Sequence, residues 1–513
     1  MAAMPVVLDG DSLTLDDLIA VATDGAAVSL APSAREAMAA SRALVDHHAA
    51  GDAAVYGVNT GFGSLSDVRI PRDQLGALQL NLIRSHAAGV GEPLDVPAVR
   101  ATALLRANVL AKGHSGIRPS SVDALVDLIN RGVHAVIPSR GSVGASGDLA
   151  PLAHLALVLV GEGEVLHRPG DPASARLGGA EALALAGLGP ITLGAKEGLA
   201  FINGTQPSTA VLALALHTLQ RVTRAADVAA ALTIDALRGS IHPFEDRIHA
   251  ARPHAGQRAA AANILSLVTH SAINASHAMC GKVQDAYSLR CAAQVHGAAR
   301  DALAYVAQTV AVEMNSATDN PMVFAHDGDI VSGGNFHGAP VSVAADVLCL
   351  AACQLATISE RRCDRLMNPV LSDLPPFLTR DSGLHSGYMM AQVTAAALAS
   401  ELKTLAHPAS VDTIPTSASK EDHVSMSMGA ALKARRAAAM AADVIAIEVL
   451  CALQALDLLA PLTSSPALER VRTALRALVP TLEADRPPSP DIAALADAIR
   501  RDDLTRATGV TLQ

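Results

Sequence analysis

Gly141-Ser142-Val143-Gly144-Ala145-Ser146-Gly147-Asp148-Leu149-Ala150-Pro151-Leu152-Ala153-His154 sets an Ala-Ser-Gly triplet in a glycine-rich loop just ahead of an apolar, helix-like run. Glycine has no Cβ, so it accepts tight and left-handed backbone, and its amide nitrogen is unhindered. The Gly147 nitrogen can therefore reach back to the Ala145 carbonyl and close a five-membered ring, while loss of the Ser146 hydroxyl leaves an exocyclic methylene. The product is a methylidene imidazolone. Such a ring is an electron-poor alkene made from the chain itself, with an electrophilic power no ordinary side chain has and no need of an external cofactor. Taken alone, Ala-Ser-Gly before a helix also fits a plain turn in which Ser146 caps the helix.

Outward from this loop the chain reads as mainly α-helical. Ala and Leu recur at helical spacing over about 217 to 240, 293 to 314, 339 to 367, 386 to 407 and 427 to 459, and Ala-rich surfaces let helices approach closely, as in a bundle of long helices. Gly and Pro cluster instead near 137 to 147, 161 to 172 and 332 to 340, which marks loops. The 513 residues exceed what one simple core organises. Half the residues are hydrophobic, yet the apolar runs are broken by charge: Val444-Ile445-Ala446-Ile447 leads straight into Glu448. Buried helices are expected rather than membrane spans. Residues 1–5 show no basic segment ahead of an apolar one, so no secretory signal is expected, and the cytoplasm is the expected location.

The balance of 39 basic and 49 acidic residues gives a net charge of −10, and without a run of Lys or Arg no nucleic-acid partner is expected. Six cysteines, Cys280, Cys291, Cys349, Cys353, Cys363 and Cys451, lie in apolar helical surroundings without paired C-x-x-C spacings, and reduced thiols are expected. His242, His249 and His254 with Glu245 have no H-E-x-x-H spacing, and Pro243 interrupts any helix there, so no metal is expected. With no Trp, four Tyr and six Phe, the core must be aliphatic. An aromatic beside glycines then needs a reason other than bulk packing. Tyr56 and Tyr287 stand out. A tyrosine, with an ordinary pKa near 10, serves as a base only where positive charge or hydrogen bonds stabilise its phenolate. Arg290, one helical turn after Tyr287, can supply that charge or clamp a carboxylate through its planar fork.

The run GSVGASGDLAPLAHLAL resembles the signature of the aromatic amino acid ammonia-lyase family. Similar segments follow in family order over roughly residues 50 to 430: Tyr56-Gly57-Val58-Asn59-Thr60-Gly61-Phe62-Gly63, Gly113 to Arg118, Asn203-Gly204-Thr205-Gln206, Gln284 to Arg290, Asn315 to Pro321, Gly334 to Gly338 and Glu421-Asp422-His423-Val424-Ser425. The resemblance implies that Ala145, Ser146 and Gly147 become the ring, in an amino-terminal region ending near 205, ahead of a long-helix bundle over 206–513. It implies a β-proton removed by the loop tyrosine Tyr56, with Tyr287 stabilising or orienting, although the two roles can be exchanged and Glu421 is also eligible. Arg290 would bind the substrate carboxylate, Asn203 the carboxylate or the ring, Gln284 would support it, and Phe336 would pack against ring and substrate. A homotetramer whose chains share each site is also implied.

Two positions speak to the substrate. Leu82-Ile83-Arg84-Ser85-His86 has Ser-His where phenylalanine-acting relatives resemble Phe-Leu and tyrosine-acting ones His-Leu. Glu421, in Lys420-Glu421-Asp422-His423, stands where those relatives usually carry Gln. A carboxylate suits an imidazole, which can donate a hydrogen bond and carry charge near pH 6.5, but would be an unpaired buried charge beside a phenyl ring. The resemblance thus points to L-histidine as substrate and trans-urocanate as product, the entry to histidine breakdown, the alternatives being another aromatic amino acid ammonia-lyase or aminomutase of the same family, or a non-catalytic helical scaffold. Lys420 and Ala286 depart from the Gln and Pro often found at those positions.

Overall fold

The computed structural model describes residues 5–63, 68–166, 176–277 and 283–513. Positions 1–4, Cys280 and the 167–172 part of the expected 161–172 loop lie outside the described residues. The chain is mainly α, as expected. Two compact units are formed, one from Met1–Leu214, Gln308–Ala345 and Pro408–Leu432, the other from Ala215–Ala307, Asp346–His407 and Lys433–Gln513.

In the first unit, four two-stranded sheets accompany the helices among the described residues. Val6–Leu8 pairs in parallel with Val28–Leu30; Val90–Pro93 with Pro138–Arg140, Glu164–Leu166 with Arg176–Gly178, and Met322–Phe324 with Asp329–Val331 pair antiparallel. The helix Val96–Ala111 begins at Asp95, whose side chain accepts from the Ala98 amide, and everything from Ala98 onward is buried, as a helix apolar on all sides requires. Three further helices place the candidate site. Leu149–Leu159 packs against Leu75–His86 and against Glu197–Ile202, which also pack on each other. The first starts just after the Ala-Ser-Gly loop, the second ends on His86, and the third stops just before Asn203.

The long helices run largely in the second unit, four of the five having one end in the first, and their bounds sit close to the sequence periodicity. The expected 293 to 314, 339 to 367, 386 to 407 and 427 to 459 appear as Ala292–Met314, Ala339–Met367, Met389–Leu405 and Ser427–Leu458. The expected 217 to 240 is instead Gln206–Ala236. Its first turn holds Pro207, which favours that position because its missing N–H has no partner there anyway, and buried Ser208 and Thr209, which hide the apolar period. Val444 to Leu453 have no exposed surface. Glu448, in the middle of them, is neutralised by Arg362, whose Nε and Nη2 lie 2.5 and 2.8 Å from its two oxygens, and receives the Thr233 hydroxyl at 2.8 Å. Ala339–Met367 and Ser427–Leu458 are long and apolar enough to cross a membrane by length and composition, and most of each apolar stretch is buried.

The five described cysteines are free thiols. His242 Nδ1 pairs with Glu245 at 2.6 Å, while His249 is bound to the Pro243 carbonyl and Gln257 at 3.0 Å each.

Candidate active site

The Ala-Ser-Gly loop is held from behind. Asp148 accepts the Ser142 hydroxyl at 2.6 Å and the Ser208 amide at 2.8 Å, and its own amide donates to the Gly204 carbonyl at 2.8 Å. Burial pushes the Asp148 carboxyl up, against the lowering effect of its two serine contacts. Gly147 has φ +70°, and a Cβ there would stand 2.2 Å from the Gly204 oxygen. Only glycine fits. The Ser425 hydroxyl and the Gly338 amide both donate to the Gly144 carbonyl, at 2.8 and 3.1 Å.

Ser146 does not cap the following helix. Its hydroxyl donates instead to Glu421 Oε1 at 2.7 Å, and its carbonyl accepts from Asn203 Nδ2 at 2.9 Å. Glu421 is fixed by the Thr416 hydroxyl on Oε2 at 2.6 Å and by the Thr416 amide on its carbonyl at 2.9 Å. The loop therefore faces a carboxylate.

A cavity of about 740 Å³ opens in front of it, lined by Tyr56, Ala145, Ser146, Asn320, Phe336 and Glu421 among others, and a lobe of about 290 Å³ adds His86 and Asn203. Tyr56 packs edge-on to Phe62, ring centres 6.4 Å apart. Burial holds its phenol above the ordinary tyrosine range, the Glu421 and Asp319 carboxylates add to this, and the Gly63 amide hydrogen bond works the other way. His86 Nδ1 lies 2.8 Å from the Leu82 carbonyl, and Ser85 Oγ is 3.0 Å from both. Because a carbonyl only accepts, Nδ1 donates this bond, which in a neutral imidazole leaves Nε2 as the acceptor. Asn203 Oδ1 is buried with no partner. Sites that need one more donor look like this.

A profile of the aromatic amino acid lyase family matches residues 13–477. The chain belongs to the aromatic amino acid lyase family. Among the relatives of this lyase, the histidine ammonia-lyase of Anaeromyxobacter sp. (strain K) is 56% identical over 498 residues, covering 96% of this chain and 98% of that one. The crystal structure of histidine ammonia-lyase from Trypanosoma cruzi superposes with a TM-score of 0.91 at 43% identity, covering 99% of this chain and 95% of that one. Tyrosine aminomutase from Streptomyces globisporus does so at 0.94 and 37%, covering 99% and 100%.

Of the site residues expected for this lyase, Tyr56, His86, Ala145, Ser146, Asn203, Phe336 and Glu421 line the two lobes, and Gly147 lies buried behind them. Gln284, Tyr287 and Arg290 belong to the second unit and do not line this cavity. Tyr287 is 70% exposed, with the Arg290 guanidinium 4.6 Å from its ring centre. Gln284 lines a separate cavity of about 420 Å³. Asn320 and His337 also face the main cavity; they stand in the recognised segments Asn315 to Pro321 and Gly334 to Gly338, with no role assigned to them from sequence. The His337 ring stacks on His423 at 5.8 Å, with the planes 7° apart.

Proposed function

We propose that this lyase eliminates ammonia from L-histidine without oxidation, giving trans-urocanate, on a ring it makes from Ala145, Ser146 and Gly147. The carrying observation is the 2.7 Å hydrogen bond from Ser146 to Glu421, in a cavity whose second lobe holds His86. The similarity to enzymes named histidine ammonia-lyase supports the same substrate.

The residues present fit the ring. Closure joins Gly147 N to the Ala145 carbonyl carbon; that oxygen leaves as one water and the Ser146 hydroxyl as a second. Packing of Gly147 on Gly204 favours the approach, and Asn203 Nδ2 holds the Ser146 carbonyl. Once formed, the ring supplies an electron-poor alkene beside the substrate.

The chain's own groups do the rest. Glu421 and His86 Nε2 are both acceptors, so they suit a substrate ring that donates N–H, as imidazole does and phenyl does not. The free Asn203 Oδ1 suits an amine or another N–H donor. Tyr56 takes the β-proton only if positive charge lowers its phenol. That charge, a carboxylate clamp from Arg290 and the contributions of Tyr287 and Gln284 come from a neighbouring chain of a homotetramer. The enzyme works in the cytoplasm and binds neither nucleic acid nor membrane.

Purified protein mixed with L-histidine and followed in the ultraviolet tests the reading. Accumulation of urocanate is the expected result. No urocanate, with turnover of phenylalanine or tyrosine instead, overturns the substrate assignment.

A further inference from the structure

Arg106 is fully buried, near the end of the helix Val96–Ala111. Its guanidinium donates to the Ala200 carbonyl through Nη2, and through Nη1 to the Asn203 carbonyl at 2.8 Å and to Gln206 Oε1 at 2.7 Å. The three acceptors run from the helix Glu197–Ile202, which holds Ala200, through the turn at Asn203 to Gln206, the first residue of the helix Gln206–Ala236. Gln206 is held in turn, donating through Nε2 to the Thr318 hydroxyl at 2.8 Å.

Among the described residues no carboxylate makes a hydrogen bond to this cation. Asp319, whose charge favours it, pairs with the equally buried Lys196 at 2.7 Å. Two buried cations thus share one carboxylate, and desolvation brings the Arg106 guanidinium down to about 10. Burying charge this way is costly. A neutral side chain avoids that cost but cannot hold two carbonyls and an amide oxygen with one rigid fork.

The turn so gripped is the wall of the Ala-Ser-Gly loop. Asn203 Nδ2 holds the Ser146 carbonyl, the Gly204 carbonyl accepts the Asp148 amide, and Gly204 presses directly on Gly147. On its other side Gly204 has no room either: a Cβ there would stand 2.5 Å from Arg106 Nη1. Guanidinium, Gly204 and Gly147 are in consecutive contact.

We infer that Arg106 is a positioning residue for ring formation, a charged backstop that keeps the Ala200–Gln206 turn pressed against Gly147 so that the Gly147 nitrogen is held towards the Ala145 carbonyl. This rests on the proposed ring. Lysine at 106 keeps the charge but gathers its three donors on one flexibly held nitrogen in place of a rigid planar fork that spans the acceptors with two, so the backstop loosens.

The test is the intact mass of purified wild type and Arg106→Lys, with melting temperature, kcat and KM for L-histidine measured alongside. Wild type should be two waters lighter than its encoded mass. Folded Arg106→Lys should retain a large uncyclised fraction, with kcat down by about tenfold or more and KM changed by less than about threefold. A purely structural role predicts a lower melting temperature with the ring complete and kcat kept, and that result overturns the inference. If Arg106→Lys does not fold, Gln206→Met, which removes one acceptor at similar size, takes its place: a partly uncyclised chain supports the inference and a complete ring overturns it. Wild type at its full encoded mass would instead mean that the ring itself is absent.

Discussion

The Ser146 hydroxyl donates to Glu421 Oε1 at 2.7 Å across 275 positions of sequence. The residue proposed to become the electrophile and the carboxylate proposed to read the imidazole are therefore in direct contact. Reaction centre and specificity contact share one fixed spacing, with Thr416 holding the far oxygen of Glu421.

Glu421→Gln keeps the shape and removes the charge. Loss of a charge-assisted hydrogen bond in a desolvated site should cost about 2 to 4 kcal/mol, or roughly one and a half to three decades in kcat/KM for histidine. Steady-state kinetics check this. Unchanged histidine turnover contradicts the role given to Glu421.

Replacing Ser85-His86 with Phe-Leu removes the Nε2 acceptor and lines the smaller lobe with apolar groups. A phenyl ring then leaves less polar surface unpaired, so the ratio of kcat/KM for phenylalanine over histidine should rise by at least about tenfold. A ratio that stays put separates His86 from substrate choice.

The parts of this site that could be read from sequence are those whose chemistry is local. Ala145-Ser146-Gly147 carries its own reaction, whereas His86 and Glu421 stood out only through the resemblance, as departures from what phenylalanine- and tyrosine-acting relatives carry there. The long helices were equally legible from Ala and Leu periodicity, except where Pro207 and two buried hydroxyls masked the start of Gln206–Ala236. Asn320 and His337 were legible only as members of recognised segments, without a role, and Arg106 was not legible at all. Each acquires its role from segments far away in sequence, and an arginine inside an apolar helix looks from sequence like one more surface charge. The approach of Arg290 to Tyr287 was legible from their i, i+3 spacing, although the spacing did not say that the guanidinium lies over the ring face.

Tyr56 ties activity to assembly. Within one chain, burial and the Glu421 and Asp319 carboxylates all hold its phenol up, so it stays protonated at neutral pH. In the proposed homotetramer, positive charge from a neighbouring chain is what would reverse that. Light scattering should give four chains per particle, and dissociation should abolish turnover with the ring still in place. An active monomer contradicts the shared site.

His134 gives a pH signature of stability. Burial, helped by the nearby Arg100, lowers its imidazole from 6.5 to about 4. A group whose folded pKa is depressed contributes stability above its unfolded pKa and loses it as pH falls through the folded one. Between about pH 6.5 and 4 the fold should therefore lose up to ~3 kcal/mol through this residue. Asp235, raised to about 6 chiefly by burial, works in the opposite direction. The comparison of wild type with His134→Gln isolates the effect: urea melts at pH 7 and 4.5 should show a smaller acid loss in the variant. Equal losses count against it.

The central claim is that this lyase makes its own electrophile from Ala145, Ser146 and Gly147. The most direct measurement is the intact mass of the purified, active enzyme beside Ser146→Ala. The prediction is that the active chain is lighter than its encoded sequence by two waters, while Ser146→Ala does not form the methylidene imidazolone and loses most activity. An active wild-type chain at its full encoded mass would contradict the account.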